Sequence, residues 1–288
     1  MTEPDEILAG AMRWAKDEAN VRALILESSR AAPDAPMDAL SDYDLLLVVS
    51  DVGRFRDDDS WLRWCGVPLV RFSEEWAREG FEGVTRLVLY EDGTKVDHQV
   101  WPVEMLRAAA QRPKLPDILD VGFRVLVDKD GLTNDLKPPS YTAHIPAPPT
   151  EAEFLALVEE FWWETTYVAK NLRRGELFPW KYSLESVIKF DLLRRMLEWH
   201  MEIDHSWRAR PGAAGRHLRE LVQPNVWAEV ESTFSGSDID ENWDALFRTG
   251  TVFRKLATEV AGSLGYSYPE DLGRGVVDYW HRVRAMEL

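Results

Sequence analysis

Between Pro138 and Thr150 the sequence reads PPSYTAHIPAPPT, and the spacing of apolar residues changes across that stretch. Ahead of it, apolar residues alternate with polar ones or stand in short runs, as strands require. Beyond it they recur every three or four residues, as helices require. Five prolines favour a stiff, extended crossing. A chain that changes period once, at such a crossing, segregates its strands from its helices. The expectation is an α+β protein: a mixed β-sheet flanked by helices over residues 1–140, a linker over 141–150, and an all-α helical bundle over 151–288. With 45% apolar and 11% aromatic residues, thirteen Trp among them, both parts have material for a core.

In the first part, Thr2, Glu3, Pro4 and Asp5 read as a capping sequence for a helix from Pro4 to Ala19, with Ile7, Leu8, Ala11, Met12 and Ala15 on one face. Short strands follow at Val21–Leu26 and Tyr43–Val49. A short helix at Ser60–Cys65 carries Trp61 and Trp64 into the core, and Pro68–Phe72 reads as a further strand. Asp92-Gly93 between Arg86–Tyr90 and Thr94–Trp101 signals a hairpin. Pro102–Gln111 reads as a helix, and Phe123–Val127 as a strand ending in a turn at Asp128–Gly131. Past the linker, Thr150 and Glu153 form a helix-start signal, with helices over 154–174, 183–202, 212–222, 225–234, 241–264 and 269–286.

The chemistry gathers at the entrance to the second strand. Pro33 and Pro36 exclude a long helix from the loop before it. Asp42 and Asp44 are two residues apart, so an extended backbone sets both carboxylates on one side. Two anions held together call for a cation, and a divalent ion such as Mg²⁺, which prefers carboxylate oxygens and keeps positions open for phosphates, suits them.

The formal charge of −16 argues against general affinity for nucleic acid and suits a cationic small molecule, although an acidic surface also serves solubility. The six histidines show no ligand spacing, and G-x-S-x-G, P-loop and G-x-G-x-x-G signatures are missing. Cys65 is the single cysteine, the longest apolar runs are too short to span a bilayer, and MTEPDEILAG lacks the basic and apolar regions of a signal peptide. A cytoplasmic monomer or homodimer, with no membrane partner, is expected.

Five motifs in chain order carry a resemblance: Ser28-Ser29-Arg30, Asp42-Tyr43-Asp44, Lys95-Val96-Asp97, Val125 to Asp130 (VLVDKD), and Phe161-Trp162 with Thr166-Tyr167-Val168-Ala169-Lys170. The chain resembles the polymerase-beta-like nucleotidyltransferases and, within them, the aminoglycoside 6-adenylyltransferases, with Ser28 where that family has a turn glycine. The resemblance implies a Mg²⁺- and ATP-dependent transfer of AMP to a hydroxyl of an aminoglycoside such as streptomycin, with release of pyrophosphate. It makes Asp97 the third carboxylate beside Asp42 and Asp44 around two Mg²⁺ ions. Asp97, or a glutamate of the second part, is then the general base. Ser28, Ser29 and Arg30 are expected at the ATP phosphates, with Lys170 reaching the triphosphate. Glu160, Trp163 and Tyr167, which share a helical face with Lys170, are expected to receive the substrate. Another acceptor, such as a lincosamide or a protein hydroxyl, and an inactive nucleotide-binding homologue are the other readings.

Overall fold

The computed structural model describes residues 5–32 and 37–287, so the roles expected of Thr2, Glu3, Pro4, Pro33 and Pro36 lie outside the described residues. The chain divides into two compact units, Met1–Ala143 and His144–Leu288. The architecture is α+β: a mixed sheet with helices in the first unit, helices in the second.

The first unit runs α1 (Glu6–Asp17), β1 (Val21–Glu27), a 3-10 turn (Ser28–Arg30), β2 (Tyr43–Val49), α2 (Gly53–Asp57), a 3-10 helix (Ser60–Cys65), β3 (Pro68–Arg78), β4 (Phe81–Tyr90), β5 (Lys95–Pro102), α3 (Val103–Ala110), α4 (Asp117–Asp120) and β6 (Phe123–Asp128). The strands form one sheet in the order β3-β4-β5-β2-β1-β6. β2 and β5 pair in parallel; the other neighbours are antiparallel. The Asp5 carboxylate caps α1, accepting from the Leu8 N–H at 3.2 Å.

Strand alternation divides the core between two faces. Leu24, Leu26, Leu45 and Leu47 pack with α1 and with Trp61 of the 3-10 helix. Ala23, Ile25, Leu46, Val48 and Trp101 pack with Leu106 of α3 and Leu119 of α4. β1 and β2 are buried from both sides, which is why their sequences are nearly continuous apolar runs. On the first face His98 is fully buried between the Trp64 indole N–H at 3.2 Å and the Arg86 carbonyl at 3.1 Å. Burial drops its pKa to about 4, so it packs as a neutral ring.

Three features of this unit were not anticipated. The strand expected over Pro68–Phe72 continues to Arg78 and pairs with β4 through a turn at Glu79 and Gly80, whose φ angles are 55° and 82°. Its polar second half (SEEWAR) is an exposed edge, where charge rather than apolar alternation is the rule. Short helices α2 and α4 are the other two, each too brief to show a period.

In the second unit, α5 (Glu151–Arg174) starts from a capping box: Thr150 accepts from the Glu153 N–H while the Glu153 carboxylate accepts from that of Thr150. Next come α6 (Leu177–Lys181), a wider π-type stretch (Tyr182–Leu193) and α7 (Arg194–His205). They are followed by α8 (Leu218–Leu221), α9 (Pro224–Glu231), α10 (Ile239–Leu264) and α11 (Glu270–Arg284). The helix expected over 212–222 is broken, because Gly212, Ala214 and Gly215 take φ of 73°, 55° and 73°. Trp162 lies at the centre: its indole donates to the Tyr268 hydroxyl at 2.9 Å, and a Cβ on Gly273 would stand 2.8 Å from the ring. No helix among the described residues is long and apolar enough to cross a membrane.

Candidate functional site

Register, more than local spacing, assembles the acidic cluster of the first unit. Asp44 is the Cα partner of Asp97 across the parallel β2–β5 seam, and of Glu27 across the antiparallel β1–β2 ladder. Cross-strand partners share a face, so Glu27, Asp44 and Asp97 form one row of carboxylates. By alternation this is the face of Ile25, Leu46 and Trp101. Leu87 of β4 and Phe123 of β6 continue the row at its two ends.

Asp42 stands just ahead of β2 and reaches sideways: its Oδ2 lies 2.6 Å from Lys95 Nζ. The same ammonium is 3.7 Å from Asp97 Oδ1, beyond hydrogen-bonding distance. Lys95 is thus the cation of the cluster, its pKa raised first by the bond to Asp42 and further by Asp97 and Asp44. The compensation is partial. Burial, with Asp97 beside it, pushes Asp44 up to about 6, against the pull of the Ser28 hydroxyl. Burial also raises Asp97, with Lys95 opposing. Burial and then Asp44 push Glu27 well above the carboxylate range.

Among the described residues, no three His, Cys, Asp or Glu side chains stand drawn together to hold a metal ion. Asp42 is turned to Lys95. The donor set nonetheless fits a divalent cation: all-oxygen, anionic and short of positive charge, with Asp97 Oδ1 buried and without a hydrogen-bond partner.

The turn after β1 is held tightly. Ser28 donates its N–H to the Gly122 carbonyl at 3.2 Å and accepts from the Ala31 and Ala32 N–H groups at 3.0 Å each. A Cβ on Gly122 would sit 3.2 Å from Ala32 Cα, so only glycine lets the entrance of β6 come this close. Ser28 itself has φ 63°, left-handed space where glycine is unstrained and serine is not. Its N–H is committed to Gly122 and its hydroxyl to the Asp44 carboxylate. Arg30 lies 3.8 Å over the Tyr43 ring and donates to the carbonyls of Ser41 at 2.8 Å and Asp42 at 3.0 Å. It therefore pins the start of β2, and with it Asp42, to the turn.

In the second unit Glu160, Trp163 and Tyr167 are exposed along one face of α5, and Lys170 beyond them is half-buried. Trp163 is 62% exposed, whereas its neighbour Trp162 is 1% exposed, which settles which indole is core. Trp163 meets Tyr167 edge to face with centroids 6.0 Å apart, and Lys170 Nζ is 4.8 Å from the Tyr167 centroid. Glu160 lies exposed one turn before Trp163. It helps to raise the pKa of half-buried Glu164, for which burial is the main cause. An aromatic edge flanked by carboxylates suits a cationic, hydroxylated ligand.

Two residues of the first cluster are missing from the sequence reading as functional groups. Lys95 was visible as the neighbour of Asp97 on one face. Glu27 gave a weaker signal: a charge closing an otherwise apolar strand, whose partner only the register reveals.

The model of one protein family, described as streptomycin adenylyltransferase, matches residues 1–283. The aminoglycoside 6-adenylyltransferase of Bacillus subtilis (strain 168) is 29% identical over 283 residues, 97% of each chain. That of Campylobacter jejuni is 29% identical over 276 residues, 93% of this chain and 92% of that one. A solved aminoglycoside 6-adenyltransferase from Bacillus subtilis aligns over 98% of each chain at 25% identity and a TM-score of 0.48.

Proposed function

Since the chain belongs to the streptomycin adenylyltransferase family, we propose that it is an aminoglycoside nucleotidyltransferase that transfers AMP from ATP to the 6-hydroxyl of streptomycin and releases pyrophosphate. The single observation that carries the reading is the alignment of Asp44 and Asp97 across the β2–β5 seam with Asp42 beside them, an anionic set with an unpartnered buried oxygen.

A divalent cation, Mg²⁺ by the chemistry of the donor set and two ions by analogy with other phosphoryl-transfer sites, would be held by Asp42, Asp44 and Asp97 and would neutralise triphosphate charge. Asp97 takes the proton of the attacking hydroxyl: its Oδ1 has no hydrogen-bond partner, and burial raises its basicity. Ser28 and Ser29, at the turn beside Asp44, are assigned to the β- and γ-phosphates. Arg30 keeps the turn and Asp42 in fixed relation through the Ser41 and Asp42 carbonyls. On the second unit, Lys170 is assigned to the triphosphate, and Glu160, Trp163 and Tyr167 to the cationic sugar.

Pyrophosphate release is the test, with ATP, Mg²⁺ and in turn streptomycin, kanamycin, spectinomycin and lincomycin. Release with streptomycin alone is the expected result. Release only with another compound keeps the chemistry and moves the acceptor; silence with all four, despite ATP binding, overturns the reading. Asp42→Asn should lower kcat more than tenfold, about 1.4 kcal/mol of barrier, without unfolding the protein.

A further inference from the structure

Glu27 is the last residue of β1, 2% exposed, and its Oε1 is buried without a hydrogen-bond partner. The cations nearby are directed elsewhere. Lys95 pairs with Asp42 and Asp97. Arg30 is engaged by the Ser41 and Asp42 carbonyls, the Tyr43 ring and, at 3.7 Å, by Asp5. Across the sheet Glu27 faces only Asp44 on one side and Phe123 on the other.

Such a residue weakens the fold. A buried polar atom with no partner costs stability, and an apolar side chain of similar size would remove the cost. On its own face of the sheet Phe123 lies beside it. A side chain that breaks a local rule with no structural return marks a functional position. The position itself says which function, because Glu27, Asp44 and Asp97 are consecutive members of one cross-strand row.

We propose that Glu27 is a fourth carboxylate of the divalent-cation site, contributing from β1 at the end of the row away from Lys95. The proposal rests on the assignment of Asp42, Asp44 and Asp97 to the cation and adds a residue to it. Glu27 acts on the ion through its free oxygen, which burial leaves without another partner, giving up its proton as the cation arrives. Its effect is therefore on cation affinity, present before any nucleotide binds.

Mn²⁺ serves as the probe, because it takes the same oxygen ligands and its free form is read directly by electron paramagnetic resonance. The titration is made without ATP on the wild type, Glu27→Gln and Asp44→Asn, each with a thermal melt. Glu27→Gln keeps size and shape while removing the carboxyl group that can ligate the ion. It should weaken Mn²⁺ binding at least tenfold with Tm unchanged or raised. Asp44→Asn should weaken binding as well. If Asp44→Asn weakens binding and Glu27→Gln does not, Glu27 is a neutral core acid and the proposal fails while the cation site stands. If neither matters, the cation assignment fails. Should Glu27→Gln not fold, Glu27→Asp decides: it keeps the carboxyl group on a shorter arm, and unchanged Mn²⁺ affinity overturns the proposal.

Discussion

Lys95 Nζ lies 2.6 Å from Asp42 Oδ2, so a residue of β5 holds a carboxylate that precedes β2. Lys95 also approaches Asp97 and is the internal counter-ion of the cluster. Replacing it leaves the carboxylates facing one another. Lys95→Met should lose about 1 kcal/mol in chelator, the upper end for a pair this exposed. Mg²⁺ should then raise Tm more in the variant than in the wild type. Equal Mg²⁺ increments in parallel melts would remove Lys95 from the role of counter-ion.

Trp162 and Trp163 are neighbours with opposite environments, 1% and 62% exposed. Trp162→Ala empties the core beside Gly273 and breaks the bond to Tyr268. A loss of about 4 kcal/mol is expected in urea melts. Trp163→Ala should change stability by no more than about 0.5 kcal/mol and raise KM for the aminoglycoside with little change in that for ATP. A stable Trp162→Ala protein, or an unaltered aminoglycoside KM in Trp163→Ala, would contradict these assignments.

Asp120 holds the end of the first unit together. Its carboxylate accepts from the N–H groups of Ser140 at 2.7 Å and of Thr142 and Ala143 at 3.0 Å, and from the Ser140 hydroxyl at 2.8 Å. Burial alone would raise its pKa; the hydrogen bonds outweigh it and hold the carboxyl at about 2. Because the folded value lies below the unfolded one, this stability is present above about pH 4 and is lost as pH falls through about 2. Asp120→Asn should cost on the order of 3 kcal/mol at pH 7, and its deficit against the wild type should shrink toward pH 2. A deficit independent of pH would mean that shape, not charge, does the holding.

What was legible in the sequence follows from where the physics is local. β2 matches its expected span because burial on both faces leaves a continuous apolar run, Leu45 to Val49. Counting to two set Asp42 beside Asp44, but Asp42 stands ahead of β2 and turns to Lys95, which the spacing did not show. Glu27 could not be placed by counting, since its nearness to Asp44 depends on a register that no local spacing encodes. The same holds for the outer half of β3, whose exposed residues carry no burial pattern. Adjacent indoles at 162 and 163 cannot both face one core; the close approach of Trp162 to Gly273, distant in sequence, goes with burial of the first. Ser28 was legible as a departure from a glycine, and its φ of 63° shows the strain that the departure entails.

The parallel seam between β2 and β5 carries a consequence for the order of assembly. β1 and β2 can zip as soon as the loop between them is made, which brings only Glu27 against Asp44. Asp97 arrives after the β3–β4 hairpin has been synthesised and laid down, since β5 pairs with β4 on one side and β2 on the other. Closing that longer loop is entropically dearer and slower. The nascent sheet thus sets Glu27 against Asp44 early, and the repulsion that Asp97 adds is met only when most of the surrounding core is in place to bear it.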